Sequence, residues 1–92
     1  MIAATLDRDG RTVVLDEQAR RHIRSEHPEL SPYLREIMAA VREPDRQMTG
    51  HEPGELWYYA ERTTRFPWLR VVVHYERGEG WRVTAFARTE LP

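Results

Sequence analysis

WLRVVVHYE, Trp68 to Glu76, decides the fold class of this chain. Its β-branched and aromatic residues suit a strand, and Leu69, Val71, Val73 and Tyr75 alternate with Arg70, Val72 and His74. One face is therefore core. Two similar stretches flank it, ELWYYAERT (Glu55 to Thr63) and GWRVTAFAR (Gly80 to Arg88), joined through turns at Thr64 to Pro67 and Arg77 to Glu79. Connections this short predict an antiparallel meander. Val83, Ala85 and Ala87 alternate with Arg82, Thr84, Phe86 and Arg88, so the second face presents Arg70, His74, Arg82, Thr84 and Arg88.

Upstream of the meander the period becomes helical. Leu34, Ile37, Met38 and Val41 recur at i, i+3, i+4 and i+7, one buried stripe, with Ser31 as N-cap, Pro32 in the first helical position and Pro44 closing the segment. Glu43 to Gly54 reads as a loop with a short strand at Arg46 to Thr49. Before these lies RRHIRSEHPEL, Arg20 to Leu30. Asp16 is the expected N-cap of a helix starting at Glu17, and Pro28 ends it near Glu26 with His27 at the exit. Residues five apart on a helix point roughly 140° away from each other, so the helix presents His22 and not His27, with Gln18 and Glu26 on the strip of His22. Ala19 and Ile23 form its modest apolar face. Ile2 to Leu6 and Thr12 to Leu15 flank Asp9-Gly10 as a hairpin. The expected fold is one α+β domain over 1–92: an N-terminal β-hairpin, two α-helices, then an antiparallel meander sheet packed on the helices.

The composition narrows the function classes. With no cysteine, disulfides, thiol nucleophiles and thiolate metal sites are excluded. All 14 basic residues are arginine, a bias that a GC-rich genome gives without any function and that also suits bidentate recognition of phosphate. Formal net charge is −1, so any phosphate binding must be local. No segment has the pattern of a signal peptide, and no stretch approaches about 18 apolar residues, so a cytoplasmic protein without a membrane span is expected.

No metalloprotease, P-loop, dinucleotide or serine-elbow motif occurs, and His22, His27, His51 and His74 are scattered, so neither a metal nor another cofactor is expected. What remains is histidine, arginine and a strand hydroxyl. That set suits RNA cleavage without metal, with histidine as acid or base, arginine on the phosphorane charge and threonine on a non-bridging oxygen. Trp57, Tyr58, Tyr59 and Trp68 can stack bases, although at least two of the four are expected to bury their rings in the core.

From Leu15 to Arg88 the chain resembles the small nucleases of the barnase–EndoU–colicin–RelE-like superfamily, particularly phage-associated and polymorphic-toxin members. The resemblance rests on His22 within HIRSEHPEL, Tyr33 and Ile37, Glu43-Pro44-Asp45, Leu69-Arg70-Val71-Val72-Val73 and Val83-Thr84-Ala85-Phe86. It implies a RelE/barnase-like fold and a metal-independent endoribonuclease with His22, Arg70 and Thr84 as catalytic residues. His27, His74, Arg82, Arg88 and Tyr59 are expected to contact RNA. An antitoxin or immunity protein is the expected partner. The chain departs from many of these toxins in being slightly acidic rather than strongly basic. A noncatalytic nucleic-acid- or protein-binding module of the same fold, and a small structural homodimer built on exposed aromatics, are the alternative readings.

Overall fold

The structure, a computed structural model, describes residues 2–92. The elements are β1 (Ala3–Leu6), β2 (Thr12–Leu15), α1 (Glu17–Glu26), a 3₁₀ segment (Pro28–Tyr33), α2 (Leu34–Arg42), β3 (Arg46–Thr49), β4 (Glu55–Glu61), β5 (Trp68–Glu76) and β6 (Glu79–Arg88). No helix among the described residues is long and apolar enough to cross a membrane. α1 occupies the expected residues because its ends are chemically marked. Asp16 accepts from the Ala19 N–H at 2.9 Å, and His27 donates its backbone N–H to the Ile23 carbonyl at 2.8 Å. The second helix differs from expectation. Ser31 and Pro32 lie inside the 3₁₀ segment, which satisfies backbone donors locally without a side-chain cap, and α2 begins only at Leu34.

All six strands form one sheet in the order β1-β2-β6-β5-β4-β3. The meander β4-β5-β6 is antiparallel as expected, but the N-terminal hairpin is not a separate ribbon. β2 docks parallel to β6 at Val13 opposite Gly80, which makes the sheet mixed. A Cβ at position 80 would lie 2.6 Å from Cγ1 of Val73 and 2.9 Å from Cγ2 of Val13, so only glycine lets the hairpin close on the meander there. At the opposite edge, the short strand expected at Arg46 to Thr49 pairs with β4. The β5–β6 turn has Arg77 and Gly78 both at positive φ, the backbone hand that a two-residue hairpin needs.

The helices cover one face. Ala19, Ile23, Leu30, Ile37, Met38 and Val41 pack with Val13, Leu15, Tyr58, Leu69, Val71, Val73, Val83 and Ala85 in a single buried cluster. The other face is less polar than the alternation suggested. Trp57, Tyr59 and Val72 are buried there, packed by Met48, Trp68, Phe86 and Leu91. Three of the four candidate base-stacking rings, Trp57, Tyr58 and Tyr59, are thus core.

The hairpin turn is held by Asp7, whose side chain is 1% exposed. It accepts from the N–H groups of Asp9 (2.9 Å) and Arg11 (2.8 Å) and from Arg11 Nε (2.8 Å). Arg11 lies over the Tyr75 ring at 4.0 Å, and the Tyr75 and Tyr58 hydroxyls are 2.7 Å apart. Burial pushes the Asp7 carboxyl up, but the Arg11 backbone N–H, the Tyr75 hydroxyl and the Arg11 guanidinium together hold it below the ordinary aspartate value. A carboxyl lowered in the folded state stabilises fully above its unfolded value, and that contribution is lost as pH falls through the folded value. Wild type and Asp7→Asn should therefore differ in urea midpoint at neutral pH and converge as pH falls below about 4. A constant gap from pH 6 to 2 would contradict the account.

Candidate active site

β2 ends at Leu15, and α1 continues beside the stretch of β6 that β2 no longer reaches. Ala19 and Ile23 fasten α1 into the core. Between α1 and the sheet lies a hollow of about 290 Å³, lined by Asp16, Gln18 and His22 from the helix side and by His74, Arg82 and Thr84 from β5 and β6. Gln18 and His22 share the strip read from the sequence; Glu26, the third member, is not in the wall.

Each wall residue has a local cause. Thr84 lies opposite Val72 in the β5–β6 register, and its Oγ1 is buried with no hydrogen-bond partner among the described residues. A buried hydroxyl left unpaired costs about 1–3 kcal/mol. The β5–β6 register shifts between Val72 and His74, and Arg82 adopts φ +50 there. This is the left-handed region, unusual for a non-glycine residue, at a bulge that re-aims the side chain. His74 is partly buried, and its Nδ1 stands 3.8 Å from Oε2 of Glu52. An imidazolium at His74 is thus met by a carboxylate. Glu55 fixes the loop that carries Glu52, accepting from Trp57 Nε1 (2.9 Å) and from the N–H groups of His51 (3.0 Å) and Glu52 (2.9 Å). The bond from Trp57 above all holds the Glu55 carboxyl below its ordinary value.

The remaining expected site residues lie elsewhere on the same face. Arg70 does not line the hollow. Its guanidinium sits between the rings of Trp57 (4.4 Å) and Phe86 (5.0 Å), and Nη1 donates to the Tyr59 hydroxyl at 3.4 Å. His27 packs edge-on against Phe86 at 4.5 Å, and His51 against Trp57 at 4.7 Å, so the row His27, Phe86, Arg70, Trp57, His51 crosses the sheet. As expected, α1 ends at Glu26 and His27 lies at its exit. His27 sits at the C-cap with φ −138 and ψ 61, off the helical path, and this turns its ring onto the sheet. Tyr59 is fully buried, so its ring has no face free to stack on a base. Arg88 is exposed near the end of β6, opposite Trp68.

His22, His74, Arg82 and Thr84 are therefore brought together, whereas Arg70, His27, Tyr59 and Arg88 are not part of that hollow. Neither the left-handed Arg82 nor the Phe86–Arg70–Trp57 sandwich was read from the sequence. The first lacks any glycine signal, and the second depends on the sheet register. Among the described residues no group of three His, Asp or Glu side chains is placed to hold a metal ion. No family model matches the chain, and no curated protein or solved structure matches it.

Proposed function

We propose that this protein is a metal-independent endoribonuclease of the toxin or phage type, acting in the hollow between α1 and β6. The observation that carries this reading is the convergence there of two histidines from different elements, an arginine on a left-handed backbone and a buried hydroxyl without a partner. One histidine takes the proton of the 2′-hydroxyl as O2′ bonds to phosphorus. The other gives a proton to O5′ as the P–O5′ bond breaks, leaving a 2′,3′-cyclic phosphate. Arg82 stabilises the phosphorane charge in the role expected of Arg70, and the Thr84 hydroxyl donates to a non-bridging oxygen. RNA is the substrate because DNA lacks the nucleophile. An antitoxin or immunity protein would keep such an activity in check in the host.

Expression of wild type beside His22→Ala in a sensitive host tests this. Degraded RNA and arrested growth with wild type alone are expected. Intact RNA with both would move the assignment to a binding module.

Arg82 offers a separate test. Glycine relieves the left-handed strain at the bulge, so Arg82→Gly should leave stability unchanged or raise it by up to about 1 kcal/mol. Cleavage should nevertheless fall about 10²–10³-fold, the usual loss on removing a charge-stabilising donor. Thermal unfolding and single-turnover cleavage measure both. A less stable but fully active Arg82→Gly would assign the bulge to folding.

A further inference from the structure

Arg70 is held by aromatic rings and not by an acid, although the chain has 15 acidic residues. Its guanidinium is partly buried between Trp57 and Phe86, Nε is buried with no partner, and no carboxylate among the described residues lies within ion-pair distance. Its one polar contact among the described residues, from Nη1 to Tyr59 at 3.4 Å, is long for a hydrogen bond. A buried guanidinium nitrogen left without a partner is costly unless an acceptor such as an anion completes it. Arg70 also lines, together with Arg88, Thr89, Glu90, Leu91 and Pro92, a hollow of about 250 Å³. Glu90 is exposed and pairs with neither arginine.

We infer that Arg70 and Arg88 form a second phosphate subsite, which holds a backbone phosphate of the strand being cleaved one or two nucleotides from the scissile bond. The identity of the anion rests on the endoribonuclease reading; the existence of the subsite does not. The register supports the spacing. Phe86, opposite Arg70, is two residues along β6 from Thr84, about 6.6–6.8 Å, and Arg88 is the same step further. Such a step is comparable to that between successive phosphates of an extended strand, so the chain of phosphates would follow β6. The rings of Trp57 and Phe86 both contact the Arg70 guanidinium, which restricts its conformations before an oxyanion binds. Local pairing of this kind also lets a protein of net charge −1 bind a polyanion.

The test uses 2′-O-methyl oligoribonucleotides, which cannot be cleaved, with the intact protein. For a tetranucleotide, Arg70→Gln and Arg88→Gln should each weaken binding tenfold or more. Each should also reduce the magnitude of the slope of log affinity against log salt by about 0.7. Binding of a dinucleotide, with one phosphate, should be unchanged. Glu90→Gln should tighten the tetranucleotide. Arg70→Lys should not restore binding, since an ammonium cannot keep the stacked fork. Arg88→Gln, on an exposed side chain, keeps the test valid if Arg70→Gln unfolds, with melting curves as the control. Wild-type affinity and slope in Arg88→Gln, or no binding of any oligonucleotide, would overturn the subsite. Failure of the two readings is distinguishable. Arginine-dependent binding without cleavage of natural RNA would leave the subsite standing alone, and cleavage with unchanged slopes would leave the nuclease without it.

Discussion

His22→Ala is expected to lower the single-turnover rate of RNA cleavage by roughly 10²–10⁴, the usual worth of a positioned acid or base. The side chain is exposed on α1, and the residues that hold the helix, Ala19 and Ile23, stay in place. Stability should therefore change by no more than about 0.5 kcal/mol, which separates a chemical loss from a folding loss. His22 and His74 stand on opposite sides of one hollow, and acid and base working as a pair give a bell-shaped dependence of rate on pH. Removing either histidine should abolish one limb and leave the other. Unchanged cleavage by a folded His22→Ala protein would remove this residue from the chemistry.

Ile37→Ala should have the largest effect on folding. Ile37 is fully buried in the middle of α2, within the cluster that joins both helices to β5 and β6. Truncation removes apolar area and leaves a cavity in a layer that cannot collapse without moving α2, at a cost of about 2–5 kcal/mol. That is a large part of the total for a domain this small. The melting temperature should fall by at least about 8 °C, while the rate per folded molecule at low temperature stays close to wild type. A shift under about 2 °C would show that α2 is loosely packed on the sheet.

Those parts of the fold that are marked by local chemistry were legible. Asp16 and Pro28 bracket α1, and the β-branched run Val71-Val72-Val73 fixes β5 as central strand. The parallel joint of β2 and β6 was not legible, because it rests on one bridge and on the steric room at Gly80, neither of which has a periodicity. The start of α2 was misplaced because Ser31-Pro32 has the composition of a helix start while the backbone makes a 3₁₀ turn. Tyr59 is expected to contact RNA, yet β4 is covered on both faces and alternation there carries no information on exposure. His22, His74, Arg82 and Thr84 could be named as residue types, but the hollow that unites them depends on the bulge at Arg82 and on where β2 stops. Arg70 belongs to the catalytic set that the family resemblance implies; its capture between Trp57 and Phe86 is visible only with the register.

The central claim is tested most directly by incubating purified protein with a defined RNA and its DNA counterpart in the presence of a chelator, then analysing the 3′ ends of the products. Cleavage of the RNA alone, with 2′,3′-cyclic phosphate or its hydrolysis product at the new ends, is the predicted result. Equal cleavage of DNA, or loss of all activity on chelation, would contradict it.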